Sequence, residues 1–197
     1  IIAAGKRQQS YFYTLLGGEP MVYPGLWRII EGHPECYFQI ITNGMFLDEK
    51  NVARIRAAGN VTVLVSIDGL EAENDDRRGA GVFQVAMEGL RRLKRSKILF
   101  GVATTVTGQN FEEVLSDEYV RTFIDRGAMY LWYYVFRPVG RDPSPRFCVS
   151  RERMIELRRR LLGLRRRHPI ILIDTYWNAQ GEAVCPAAAG LGFHIGP

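Results

Sequence analysis

Glycines and polar side chains recur directly after the apolar runs of this sequence, and residues of these types suit ligand binding. In parallel α/β folds, ligands bind at the carboxyl ends of the strands, so residues that follow each run are expected to meet along one rim. In chain order these segments are Gly17-Gly18-Glu19-Pro20, Thr42-Asn43-Gly44, Ser66-Ile67-Asp68-Gly69 with Arg77-Arg78-Gly79-Ala80-Gly81-Val82-Phe83, Thr105-Val106-Thr107 with Asn110, and Arg137-Pro138-Val139-Gly140. Each segment alone is also typical of an ordinary turn. Their succession along the same predicted rim favours a binding site.

The first segment, residues 17–20, has residue types that suit binding of an amine, and we call it the amine corner. Gly17 and Gly18 allow a ligand to approach the backbone closely, and the Glu19 carboxylate accepts hydrogen bonds from an ammonium group. Pro20 lacks an N–H and fixes the turn.

The third segment suits a carboxylate. Ser66 and Asp68 lie two positions apart on one side of their strand end, and Arg78 supplies a planar fork that matches a carboxylate. Together with the amine corner, this segment would hold an amino acid zwitterion. Asn43 and Asp68 also offer hydrogen bonds to ribose hydroxyls, and the backbone near Val135 offers them to an adenine edge.

Alternating strands and helices provide the scaffold for these segments. Short apolar runs predict strands at 11–16, 37–42, 61–67, 98–105, 129–136 and 170–174. Helical patterns between them predict helices at about 24–34, 48–58, 81–95, 110–127 and 150–167. Asp48 and Ser150 are predicted N-caps, and Asn110 with Glu113 predicts a capping box. Strands this apolar, separated by single helices, indicate an α/β fold with a parallel sheet, favouring a partial barrel over a doubly wound sheet.

The net charge of +5 comes from one predicted helix. Residues 151–167 contain eight arginines and two glutamates, a net of +6, which leaves 18 basic and 19 acidic side chains elsewhere. Met154, Leu157, Leu161 and Leu164 form an apolar stripe, so the arginines are expected on the outer face of a packed helix. A nucleic-acid contact is the alternative, disfavoured because no aromatic residues alternate with these arginines.

The ordered segments resemble the motifs of the radical S-adenosylmethionine (SAM) superfamily, over about residues 10–140. The resemblance implies a partial (β/α)6 barrel that binds SAM and a [4Fe-4S] cluster. It implies that Gly18 and Glu19 hold the methionine amine, that Ser66 and Arg78 hold its carboxylate, and that Asn43 and Asp68 shape the pocket near the ribose. The core barrel is then expected at 1–175, lacking its first strand, and a cysteine-rich extension of the SPASM type is expected to begin at 176–197.

Cysteine usage departs from the family pattern. The family holds its cluster with a Cys-x3-Cys-x2-Cys loop after the first strand, and the three cysteines here, Cys36, Cys148 and Cys185, do not form it. We expect the cluster loop to lie outside these 197 residues. Cys185 resembles the first ligand of an auxiliary iron–sulfur cluster, with a buried structural thiol as the alternative. Cys36 and Cys148 are expected to be core or loop residues.

The resemblance implies an enzyme that reduces SAM with one electron, generates a 5′-deoxyadenosyl radical and abstracts a substrate hydrogen. The expected partners are SAM, a reductant such as flavodoxin or ferredoxin, and a peptide or small-molecule substrate. Widely spaced cysteines favour a cytoplasmic setting, and no apolar run reaches the roughly 18 residues of a membrane span. The alternatives are a barrel lyase or aldolase using Glu19, Asp68 and Arg78, and a nucleic-acid-binding module using 151–167.

Overall fold

A six-stranded parallel sheet forms the centre of the molecule. The computed structural model describes residues 1–138 and 144–174, together with the backbone of two short strands beyond them. The sheet consists of β1 (Phe12–Leu15), β2 (Tyr37–Thr42), β3 (Val61–Ser66), β4 (Phe100–Val106), β5 (Tyr130–Val135) and β6 (Ile171–Ile173). The strands beyond it, β7 (Tyr176–Trp177) and β8 (Ala183–Val184), pair in antiparallel fashion.

The strand order confirms the prediction of a partial barrel. The six strands lie side by side in sequence order, so every crossover steps in the same direction. A doubly wound sheet would instead reverse its order at a switch point. The carboxyl ends of all six strands therefore form one rim, as the sequence motifs require.

Eight helices occur in the described part of the chain. They are α1 (Ile2–Arg7), α2 (Leu26–Glu31), α3 (Glu49–Ala58), α4 (Glu71–Arg78), α5 (Val82–Arg95), α6 (Phe111–Val114), α7 (Asp117–Asp125) and α8 (Arg151–Arg167). Two short 3₁₀ turns cover Pro20–Val22 and Pro145–Phe147.

The first residues of the helices confirm two of the predicted N-caps, whereas the third prediction, a capping box, is wrong. The side chains of Asp48 and Ser150 accept hydrogen bonds from the third amide of their helices. The capping box at Asn110 is wrong, because the Asn110 side chain bonds Asp68, Thr105 and Thr107 instead of the helix amides. The single helix predicted over 110–127 is divided into α6 and α7. The Ser116 side chain accepts a hydrogen bond from the Tyr119 amide and so caps α7.

The two faces of the sheet differ. One face packs against the helices in the main core, where side chains such as Phe38, Val63 and Leu131 are fully buried. The other face carries a small cluster around Leu64, Ala103 and Tyr130. Near the amino ends of the strands, Tyr130 meets a polar group formed by Gln39, Thr62 and Thr14.

The arginine-rich helix α8 packs as part of the outer wall. Leu157, Leu161 and Leu164 are buried along its inner face. Its arginines form ion pairs with Asp174, Glu112 and Asp117, which belong to other elements. Within the described residues, no helix is long and apolar enough to cross a membrane.

Candidate functional site

A cavity of about 380 Å³ opens at the carboxyl ends of the strands. That volume lies within the usual range of small-molecule sites. It is lined by Gly18, Asn43, Met45, Arg77, Arg78 and Val82. The structure thus brings together three of the segments that the sequence singled out, those after β1, β2 and β3.

Glu19 organises the corner after β1. Its Oε1 accepts hydrogen bonds from the Met21 amide at 3.0 Å and the Thr42 hydroxyl at 2.8 Å, and its Oε2 accepts one from the Asn43 amide at 2.8 Å. A carboxylate has about four acceptor positions, so one remains for a ligand ammonium. A Cβ added at Gly17 or Gly18 would meet no atom within 4 Å, so the space beside this turn is open.

The segment after β2 places Asn43 at the edge of the cavity. The Asn43 side-chain oxygen accepts a hydrogen bond from the Met45 amide at 2.9 Å, which orients the amide group. Gly44 follows with a φ of 86° and lies against Ala86 of α5, where a Cβ would come within 3.3 Å of the Ala86 backbone. Glycine here lets the loop lie close to α5.

Asp68 is buried beneath the cavity, although the sequence predicted it near the ribose. Its side chain has 0% exposure, and its Oδ1 accepts a hydrogen bond from the Thr105 amide at 2.6 Å. Its Oδ2 lies 2.7 Å from Nη2 of Arg78 and 3.3 Å from Nε of Arg77. Asp68 does not line the cavity described above, because its carboxylate faces these two arginines.

Arg78 has a hydrogen-bond donor that the protein does not use. Its Nε is buried, and no acceptor for it occurs in the described part of the chain. Leaving a buried donor unpaired costs about 1–3 kcal/mol. The Arg78 side chain as a whole is 24% exposed and lines the cavity, so its guanidinium is placed to meet a ligand carboxylate there. Ser66 is half-buried and lies beside Ala103 of β4 in the strand register.

The turn between α4 and α5, which directly follows both arginines, is held by Asp75. Asp75 accepts hydrogen bonds from the amides of Gly81, at 2.6 Å, and Phe83, at 2.8 Å. The bond from Phe83 is the main reason that the pKa of Asp75 is lowered. Gly79 ends α4 with a φ of 107°, a backbone conformation that glycine adopts readily.

The structure places Arg77, Asn74 and Asn110 around Asp68, a role that sequence analysis did not predict for any of them. Burial lowers the pKa of Arg77, and its neighbour Arg78 adds to this, although Asp68 opposes them. Two adjacent arginines in the sequence were the available signal for a shared acidic partner.

Val135 lies two strands away from β3, beside Val106 in the register. It does not line the cavity, so its predicted contact with an adenine edge stays a prediction. On the same strand, the rings of Trp132 and Tyr134 are stacked with centroids 5.3 Å apart. Of the last predicted segment, Val139 and Gly140 lie outside the described residues.

SAM fits the groups around the cavity, whereas a [4Fe-4S] cluster finds no ligands among the described residues. No group of three or more His, Cys, Asp or Glu residues in the described ranges is arranged to bind a metal ion. Cys36 is buried directly before β2, and Cys148 is exposed after the second 3₁₀ turn. Cys185, the predicted auxiliary ligand, lies outside the described residues.

Comparison with known proteins agrees with this geometry. Residues 1–117 match the family model of the radical SAM superfamily. The AdoMet-dependent heme synthase of Methanosarcina barkeri is 32% identical over 131 residues, which are 64% of this chain and 37% of that protein. Mycofactocin maturase MftC of Mycobacterium ulcerans is 32% identical over 147 residues, which are 72% of this chain and 38% of that protein.

A solved structure shows the same fold. Streptococcus suis SuiB bound to S-adenosylmethionine superimposes with a TM-score of 0.77 at 15% sequence identity, over 90% of this chain and 42% of that one. The chain therefore spans less than half the length of each of these three proteins.

Proposed function

Because the chain belongs to the radical SAM superfamily, we propose that its cavity binds the methionine part of SAM as part of a radical-generating enzyme. In this family, SAM reduced through a [4Fe-4S] cluster supplies a radical that abstracts hydrogen from the substrate. The observation that carries the proposal is the partly exposed guanidinium of Arg78, held by Asp68 at a cavity that Gly18 and Asn43 also line.

The proposal gives SAM one orientation in the cavity. The ammonium group lies at Glu19, which has one acceptor position left, and the carboxylate lies at Arg78. Ser66 adds a hydroxyl for the carboxylate, Asn43 offers an amide to the ribose, and the backbone at Val135 offers hydrogen bonds to the adenine edge. Opposite charges at fixed positions hold the zwitterion in one pose, which is what these side chains contribute to the reaction.

A peptide is the substrate that the relatives favour. One is a mycofactocin maturase, another is the sporulation killing factor maturation protein SkfB of Bacillus subtilis, 30% identical over 104 residues, and SuiB has been solved with its precursor peptide SuiA. The heme synthase of Methanosarcina barkeri favours a small-molecule substrate as the second candidate. A reductant such as flavodoxin or ferredoxin, an auxiliary cluster at Cys185, a core domain at 1–175 and a cytoplasmic location belong to the same proposal.

Binding of SAM by the whole protein tests the proposal. We expect Arg78→Ala to weaken SAM binding roughly tenfold or more, because a hydrogen bond to a charged group contributes about 1.5–3 kcal/mol. Isothermal titration of the anaerobically reconstituted protein measures the affinity, and formation of 5′-deoxyadenosine measures the activity.

Arg91→Ala is the matched control. Arg91 is an exposed arginine of α5 that pairs with Glu88, and its removal is expected to leave SAM affinity unchanged. Equal affinities of the wild-type protein and Arg78→Ala would contradict the proposed carboxylate contact.

A further inference from the structure

The side chain of Asp68 is a buried carboxylate, and its negative charge needs partners that offset the loss of water. Removing a carboxylate from water is costly unless other groups pair with it. The side chain has 0% exposure and meets the Thr105 amide with one oxygen and two guanidinium groups with the other. The charges around it are therefore unequal, since two cations face one anion.

Both arginines approach the same oxygen, Oδ2. The contacts are 2.7 Å to Nη2 of Arg78 and 3.3 Å to Nε of Arg77. Neither Oδ2 nor the buried Nε of Arg78 has an aligned hydrogen bond within the described ranges. One edge of the Arg78 guanidinium is thus held by Asp68, while the side chain stays 24% exposed at the cavity, at a place where the local charge is +1.

The loop that carries Asp68 is itself held in place. The Asn74 side chain accepts a hydrogen bond from the Asp68 amide at 3.0 Å. The Asn110 side chain donates to the carbonyl oxygens of Asp68, at 2.7 Å, and Thr105, at 2.9 Å. Asn74 and Asn110 are both buried, so Asp68 is fixed between the ends of β3 and β4.

We propose that Asp68 is a positioning residue that orients the Arg78 guanidinium toward the carboxylate of SAM without touching SAM itself. The inference rests on the proposed function and deepens it. Arg77 shares the charge of Asp68, so the two arginines keep a net charge of +1 for the ligand carboxylate to neutralise. A guanidinium that is already oriented loses less side-chain freedom when the ligand binds.

Replacement of Asp68 by asparagine would disturb this arrangement specifically. The amide keeps the shape of the side chain and its acceptor for Thr105, but it removes the negative charge between two guanidinium groups. Their mutual repulsion is then unopposed, and Arg78 is expected to leave its position. A ribose contact, which the sequence predicted for Asp68, would instead give a loss independent of the carboxylate of SAM.

The experiment compares two ligands on the whole protein. SAM and decarboxylated SAM are titrated into the reconstituted wild-type protein, Asp68→Asn, Arg78→Ala and the double variant. We expect Asp68→Asn to lose roughly fivefold to tenfold in affinity for SAM and less than about twofold for decarboxylated SAM. The double variant is expected to bind SAM no more weakly than Arg78→Ala, because both substitutions remove the same contact.

The remaining outcomes overturn either the positioning role of Asp68 or the proposed function. Equal losses for both ligands, or additive losses in the double variant, overturn the positioning role. Failure of the wild-type protein to bind SAM overturns the proposed function instead. Asp76→Asn, an exposed aspartate on α4, is the matched control and is expected to match the wild-type protein.

If Asp68→Asn does not fold, Arg77→Met provides a second test of the positioning role. This variant leaves Asp68 paired with Arg78 but removes the net positive charge beside the cavity, so part of the preference for SAM over decarboxylated SAM is expected to remain. A preference as low as that of Arg78→Ala would show that Asp68 alone does not set the orientation of Arg78.

Discussion

Glu19 illustrates how one residue serves both the fold and the site. Its carboxylate caps the first 3₁₀ turn through Met21 and ties that turn to the end of β2 through Thr42 and Asn43. Because these bonds fix both carboxylate oxygens, the remaining acceptor position has a defined direction. The amine corner stays a prediction, and the structure adds that Glu19 joins the ends of two strands.

The raised pKa of Glu113 predicts how the stability of the protein depends on pH. Burial raises the pKa of Glu113 above its ordinary value of 4.5, the Leu70 amide opposes this, and Glu73 and Glu118 add to it. The folded protein therefore holds this proton more tightly than the unfolded chain does. Ionised Glu113 lowers stability at neutral pH, and this loss is recovered as the pH falls through the raised pKa toward 4.5.

We therefore expect wild-type protein to gain stability relative to Glu113→Gln as the pH is lowered from neutral toward 4.5. Urea unfolding of both proteins over that range measures the difference, in which the titration of all other groups cancels. The substituted side chain keeps an acceptor for the Leu70 amide, which in the wild-type protein contacts Glu113 Oε2 at 2.7 Å. A difference independent of pH would show that the pKa of Glu113 is not raised.

The turn between α4 and α5 is the element on which the site depends most. Gly79 has φ 107° and ψ 149°, and a Cβ there would meet only a Val82 methyl group at 3.8 Å. The obstacle to substitution is therefore backbone strain, with a cost of about 1–3 kcal/mol. We expect Gly79→Ala to lower the free energy of unfolding by that amount and to weaken SAM binding, since Arg78 directly precedes it.

Gly59→Ala provides the matched control for this element. Gly59 ends α3 with a φ of 72°, and a Cβ there would meet open space. Its replacement is expected to lower the free energy of unfolding by about 1–2 kcal/mol and to leave SAM affinity unchanged. Urea unfolding and isothermal titration measure both quantities. Unchanged SAM affinity in Gly79→Ala would show that the turn does not position Arg78.

The six strands were predictable because each is a short apolar run that ends at a turn residue. Helix α4 was missed because its sequence, Glu71 to Arg78, has almost no apolar side chain and so no apolar period of 3.6. Its position comes from Asn74 and from the ion pairs at Asp68, which join residues that no local pattern connects. The orientation of Asp68 likewise depends on Arg77 and Thr105, so sequence alone did not predict the partners of its carboxylate.

Across the whole molecule, the two ends of the sheet have different roles. The carboxyl ends carry the cavity and the unpaired donor of Arg78. The amino ends are closed by Tyr130, whose hydroxyl lies 3.1 Å from both the Gln39 amide nitrogen and the Thr62 hydroxyl. Gly101 makes room for this ring, because a Cβ there would come within 2.6 Å of it.

We expect Tyr130→Phe to lower the free energy of unfolding by about 1–3 kcal/mol, because it leaves the buried Gln39 amide without its acceptor. SAM affinity is expected to stay unchanged, since the substitution lies at the opposite end of the strands from the cavity. Tyr37→Phe is the control: Tyr37 begins β2 and its hydroxyl has no hydrogen bond within the described ranges, so little change in stability is expected. If Tyr130→Phe weakened SAM binding as strongly as Arg78→Ala, the two ends of the sheet would be coupled, and closure of the amino end would itself be part of the binding site.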